Sequence, residues 1–260
     1  MIEKTHKTGI VLSGGGARGF SHLGVLQALN ESNVYPDIIS GTSVGSIVGA
    51  LYADGNKPYD ILKIISKNSR LDYFSLTMPK EGLLQISGIV KILKETLKAK
   101  TFEELKIPLF VAATDLNNGK IVYFSKGELI NPIIASSSIP VLFKPLIIDK
   151  IYYVDGGVMD NLPIDPLEKI CDMIIGSYVN PIGNEVSFTS LLSVAARTFH
   201  LSMQKEIVEK RSKFDLFIAP PELKNYNLLD PGKAEELFEI GYNSTIKELK
   251  NSNILTLLKI

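Results

Sequence analysis

Read for its hydrophobic period, the chain alternates short extended runs with helical stripes. "GIVLS" (9–13) has the length and apolar density of a buried strand, and Phe20, Leu23, Leu26 and Leu29 then recur at helical spacing. "PDIIS" (36–40) is a second extended run. Behind it Val44, Ile47, Val48, Leu51 and Tyr52 keep the i, i+3, i+4, i+7, i+8 rhythm of a helix packed on a sheet. Gly55 and Pro58 close that element, and a further helix is expected from Tyr59 to about Asn68. From Arg70 to Gln85 no period holds. Ile86, Ile89, Val90, Leu93 and Leu97 restore a helix, with Ser87 placed as its N-cap.

Downstream, "IPLFVAATDL" (107–116) reads as a buried strand, and "NNG" offers a turn into "KIVYFS", an antiparallel neighbour. "VLFKPLIID" (141–149) and "IYYVDGG" (151–157) read as further strands. After Pro166 come a strand ("DMIIGSYVN"), a long helix from Leu191 to about Arg211, a short strand ("DLFIAP") and a terminal helix from Ala234 to about Lys250. This alternation predicts one α/β domain over residues 1–260, three layers deep, with a mostly parallel central sheet covered by helices on both faces.

Composition narrows the function classes. Lys plus Arg and Asp plus Glu balance at 28 each, so no global field draws the chain to nucleic acid or to anionic lipid, although a local basic patch stays compatible with this balance. The single cysteine, Cys171, rules out an internal disulfide and fits a reducing compartment. The first apolar run is too short for a signal-peptide core, and no segment approaches the ~18 uninterrupted apolar residues of a membrane span. A cytoplasmic protein is the expectation.

Three glycine-bearing stretches carry candidate chemistry. In "IISGTSVGSIVGALY", Gly41, Ser43 and Gly45 form G-x-S-x-G between a strand and a helix. That context suits a serine nucleophile, because a sharp strand-to-helix turn exposes its oxygen and the helix dipole favours an anionic adduct. The alternative is an ordinary tight turn with Ser43 as helix N-cap. In "LSGGGARGF", Gly14, Gly16 and Gly19 match the G-x-G-x-x-G spacing of a dinucleotide-binding turn. That reading also needs an acid at the end of the second strand, whereas Asp37 precedes Ile38 and Ile39. The other use of such a row is a set of N–H donors for an oxyanion or a phosphate. In "YYVDGGVMDNLPID", Asp155 ends an apolar strand before Gly156 and Gly157. It reads either as a plain turn residue or as a carboxylate facing a ligand at the sheet edge.

A serine nucleophile needs a base, and the chain has three histidines. His6 precedes the first strand, His22 reads as a packing or capping residue, and His200 falls in mid-helix. That context disfavours a Ser43–Asp155–His200 triad and leaves Asp155 as a direct base.

Taken together and in this order, G-G-G-x-R-G, G-T-S-x-G and D-G-G resemble the patatin-like phospholipase family of serine lipid acyl hydrolases. The resemblance runs from about Gly9 to Pro166 and extends to "ATDLNNGKIVYFSKG", "ASSSIPVLFKPL" and "DGGVMDNLPID". It implies a patatin-like fold and a Ser43–Asp155 dyad without histidine. It further implies an oxyanion hole in the loop of Gly14, Gly15, Gly16, Ala17, Arg18 and Gly19, and no cofactor or metal. Arg18 matches a basic residue able to steady that loop or to meet a phosphate. Ser13 and the second glycine of D-G-G depart from some members. The implied substrates are phospholipids, lysophospholipids or other acyl esters, reached by transient contact with a membrane surface and without nucleic acid. The aperiodic stretch Arg70–Gln85, with Leu83, Leu84 and Ile86 at its end, reads either as a lid or membrane-facing lip or as an ordinary surface connection.

Overall fold

A computed structural model describes residues 5–69, 87–184, 188, 191–228 and 231–252. The stretch Arg70–Gln85, read as a lip or a surface connection, lies outside the described residues. The first half of the chain runs through β1 (His6–Leu12), α1 (Phe20–Glu31), β2 (Ile38–Thr42), α2 (Val44–Ala53), α3 (Pro58–Ser69) and α4 (Ser87–Thr96). Next come β3 (Leu109–Asp115), β4 (Lys120–Phe124), α5 (Ile130–Ser136), β5 (Leu146–Ile148) and β6 (Ile151–Asp155). The last part holds α6 (Asp165–Glu168), β7 (Cys171–Ser177), α7 (Leu191–Ser202), α8 (Gln204–Lys210), β8 (Leu216–Ile218) and α9 (Ala234–Asn251).

The strands form one sheet. β3, β2, β1, β7 and β8 lie side by side and parallel, and β4, β5 and β6 pair antiparallel. Strand side chains point alternately to the two faces. Ile10, Leu12, Ile39 and Ile175 join one core with Leu26 of α1, Leu51 of α2, Ile61 of α3 and Leu237 of α9. Val11, Ile38 and Ile174 enter a second core with Leu162, Ile164, Leu167 and Ile207. Burial on both faces explains why the parallel strands read as unbroken apolar runs.

Three expectations change. The strand expected over 141–149 shrinks to β5, because Val141 (φ 71°) and Asp149 (φ 49°) take left-handed turn conformations. The helix expected from Leu191 to about Arg211 breaks at Met203 into α7 and α8. α5 has no counterpart in the periodicity, since its seven residues include Asn131 and Pro132.

Register then brings two strand ends together. β3 pairs with β2 through Leu109–Ala112, with β4 through Val111–Asp115, and with β6 through Ala113–Asp115. A strand has two edges. β4 overlaps both other partners, so it occupies one edge alone, and β2 and β6 share the other. On that edge Thr42 lies opposite Ala112 and Asp155 opposite the next residue, Ala113. The two strands run toward each other, and their carboxyl ends meet head to head at Ser43 and Asp155.

Candidate active site

Ser43 links β2 to α2 with φ 52° and ψ −125°, a conformation strained for any residue with a Cβ. It stands at the N-cap position, yet its side chain makes no capping bond, which removes the ordinary N-cap reading. Its neighbours hold the turn instead. The Ser43 N–H donates to Ser136 Oγ at 2.8 Å, and its carbonyl accepts from Ser46 Oγ at 2.6 Å and Ser46 N at 2.9 Å. Gly41 and Gly45 are required by close approach: a Cβ on Gly41 would lie 2.6 Å from the Gly45 carbonyl oxygen, and one on Gly45 would strike the carbonyls of Leu12 and Ser13.

Asp155 is 2 % exposed. Its N–H donates to the Ser138 carbonyl at 2.9 Å and its Oδ1 accepts from Gly157 N at 2.8 Å. The Ser43 side chain lies beside its carboxylate and favours the charged form. Burial pushes the carboxyl up to about 7, and Ser43 and the bond from Gly157 only partly oppose this.

The glycine loop leaves β1 beside this pair and divides its N–H groups. Gly14 donates to the Asn161 carbonyl at 3.2 Å, Ala17 to the Leu228 carbonyl at 2.7 Å and Arg18 to the Gly15 carbonyl at 3.2 Å. Among the described residues no acceptor meets the N–H of Gly15 or Gly16. Gly16 has φ +54°, and both glycines line a narrow cavity with Ser43 and Asp155. The Arg18 side chain is 5 % exposed. Its Nε and Nη2 donate to the Tyr226 carbonyl at 2.9 and 2.7 Å, and its Nη1 to the Pro181 carbonyl at 3.0 Å. It braces the loop against two downstream segments. Gly19 closes the loop under Val44.

The dinucleotide reading fails on the position of its acid. Asp37 Oδ2 accepts from the N–H of Lys7 and Thr8 at 3.1 and 2.9 Å, at the amino end of β1 and away from the glycine loop.

A model of the patatin-like phospholipase family matches residues 10–168, more than half of the chain. The chain belongs to this family. It is 28 % identical over 269 residues to patatin-like phospholipase domain-containing protein 7 of Rattus norvegicus, covering 90 % of this chain and 20 % of that protein. It is 26 % identical over 285 residues to lysophospholipase NTE1 of Candida albicans, covering 92 % of this chain and 20 % of that protein. The chain thus spans about a fifth of the length of these relatives. Among solved structures, VipD from Legionella pneumophila aligns with a TM-score of 0.55 at 16 % identity, over 95 % of this chain and 67 % of that one. That likeness confirms the α/β fold.

Among the described residues lining the cavity there is no histidine. His22 lies fully buried under the glycine loop. Its Nε2 meets the Ser13 carbonyl at 2.9 Å and so carries the proton, and its Nδ1 accepts from Ser177 Oγ at 2.7 Å. Burial pushes its pKa down to about 4, which keeps it neutral. His200 meets the Asn180 carbonyl at 3.1 Å and lines a different cleft. His6 begins β1, at the far end of the strand.

The cavity's other wall is apolar: Ile139, Leu142, Phe199, Met203 and Leu228. Phe199 and Met203 fall four residues apart in the helix expected from Leu191 to about Arg211, a spacing that marks a packing face and no site. Asn161 and Asn180 also line the cavity, and neither stands out in the sequence. Asp160 is hidden within the D-G-G stretch, although a second carboxylate five residues after Asp155 is a usable signal. Among the described residues no group of three or more His, Cys, Asp or Glu could hold a metal ion. No described helix is long and apolar enough to cross a membrane.

Proposed function

We propose that the chain is a serine lipid acyl hydrolase in which Ser43 is the nucleophile and Asp155 its base. The carrying observation is a strained, uncapped serine that shares one cavity with a carboxylate buried beside it. Asp155 takes the Ser43 proton as Oγ attacks the ester carbonyl. The carbonyl oxygen becomes an oxyanion and accepts from the N–H groups of Gly15 and Gly16, preorganised donors whose individual loss typically costs ~3–4 kcal/mol of transition-state stabilisation. The tetrahedral adduct collapses, the C–O bond to the alcohol breaks, and Asp155 returns the proton to the leaving oxygen. Water then loses a proton to Asp155 and attacks the acyl-enzyme. Its collapse frees the fatty acid, and the proton goes back to Ser43. No metal or cofactor enters this scheme.

The substrate class is phospholipid, lysophospholipid or a related acyl ester, in line with the relatives' names. The location that fits is cytoplasmic and peripheral to a membrane. Fluorophosphonate labelling tests the mechanism. The expected result is one covalent adduct that Ser43→Ala abolishes, and absence of labelling in the folded protein overturns it.

A further inference from the structure

α7 has two faces with different tasks. Phe199, on the inner side, and Met203, at its end, roof the Ser43 cavity. On the opposite face Leu191, Val194 and Leu201 follow helical spacing, and Val208 is a further exposed aliphatic residue on α8. Leu191 is 87 % exposed and Val208 81 %, with Val194 and Leu201 at 43 and 48 %. A row of large aliphatic side chains in water marks an interaction surface.

A second observation fixes what covers it. The inner edge of α7 also forms one wall of a cleft of about 720 Å³, against about 50 Å³ for the Ser43 cavity. Arg197 and His200 from α7, together with Arg18 and Lys224, line this cleft, and no Asp or Glu is among the described residues lining it. Leu228 is common to the cleft and the cavity. An aliphatic row beside a cationic cleft, on a chain of zero net charge, is complementary to the acyl region and phosphates of a lipid surface. A protein partner or a second copy would have no need of a basic cleft next to the reaction cavity.

We infer that the outer face of α7 and α8 docks on a phospholipid surface, with the Arg197–Lys224 cleft receiving a lipid phosphate. The inference rests on the hydrolase reading only for the identity of the lipid as substrate.

The chain has no tryptophan, so Leu191→Trp gives a single reporter. It is made in a Ser43→Ala background, to keep vesicles intact, and mixed with phosphatidylcholine vesicles with and without phosphatidylglycerol. The expected result is a blue shift of Trp emission on vesicles. Tyr35→Trp, exposed between α1 and β2, is expected to show none. Replacing Leu191, Leu201 and Val208 together by Ser is expected to weaken vesicle binding by at least ~10-fold. In the Ser43 enzyme the same triple change leaves hydrolysis of p-nitrophenyl butyrate within about twofold, since no altered residue lines the cavity. Lys224→Gln is expected to remove the gain in affinity that phosphatidylglycerol gives. Unshifted emission from the Leu191→Trp protein, a triple variant that binds vesicles as the parent does, or a parent that does not bind overturns the surface. A Lys224→Gln protein that keeps the phosphatidylglycerol gain overturns the headgroup cleft. Vesicle binding through Leu191 without fluorophosphonate labelling supports the surface and overturns the hydrolase reading.

Discussion

Asp155 has to be ionised to accept a proton, at a position where burial penalises its charge. In the unfolded chain its carboxyl titrates near the ordinary value of 3.8, and in the folded chain at about 7. Below 3.8 both states hold the proton and the group is neutral to stability. As pH rises toward 7 the unfolded state ionises freely and the folded state does not, so stability is lost across this window and stays lost above it. His22 has the opposite sign: its folded pKa near 4 sits below 6.5, and stability is lost as pH falls through that interval. Asp155→Asn keeps an acceptor for Gly157 without the charge. We expect it to lower kcat/KM by at least ~1000-fold, as loss of an essential base does. We also expect its melting temperature to gain on the parent from about pH 4.5 to about pH 8, the His22 contribution being common to both proteins. In the parent, kcat/KM should climb through about pH 7. A melting-temperature difference that does not grow with pH would show that Asp155 is not desolvated.

Several elements are tied to the Ser43–Asp155 pair by one carboxylate. Asp160 accepts from Lys210 Nζ of α8 at 2.7 Å, from Tyr123 OH of β4 at 2.5 Å and from Leu162 N at 3.1 Å. Its backbone N–H donates to the Gly156 carbonyl at 2.7 Å, and its carbonyl accepts from Thr42 Oγ1 at 2.8 Å, just before Ser43. Side-chain exposures of 14 and 4 % make this ion pair largely buried. Removing one partner strands the other charge, so Lys210→Met is expected to cost about 3 kcal/mol in urea unfolding and to lower kcat more than it raises KM. Lys213→Met breaks a bridge to Glu168 whose partners are 40 and 44 % exposed, and less than ~1 kcal/mol is expected there. Equal losses in the two variants would argue against a latch at Asp160. The sequence pattern reveals Ser43, Asp155 and the glycine loop because each is local, a strand end followed by small residues. It does not reveal Ser136, the acceptor for the Ser43 N–H, since α5 is too short to show a period and carries Pro132. The break at Met203 has no Gly or Pro to announce it. The meeting of β2 with β6 depends on the register of each against β3, Thr42 opposite Ala112 and Asp155 opposite Ala113, which periodicity does not encode.

At the scale of the whole molecule, β7, β8 and α9 lie beyond the residues the family model matches, yet they complete what surrounds the glycine loop. β7 pairs with β1 along its length, and Ser177 at its end holds His22 under the loop. α9 lies against α1, the helix that the loop opens, and the two backbones approach through glycines on both sides. A Cβ on Gly24 would come within 2.7 Å of Tyr242 N, and one on Gly241 within 2.6 Å of Ser21 Oγ. Contacts this close pack α9 on the motif-bearing part, as the proposed single domain requires. Gly241→Val is then expected to destabilise the protein by about 3 kcal/mol, because rigid backbone on α1 leaves no room for the added side chain. Unfolding monitored by calorimetry and by fluorophosphonate labelling should shift together in that variant and remain a single transition. If labelling survives to the parent's temperature while a separate transition moves down, α9 and its neighbours form an independent unit. The glycine loop would then owe its geometry to the first 168 residues alone.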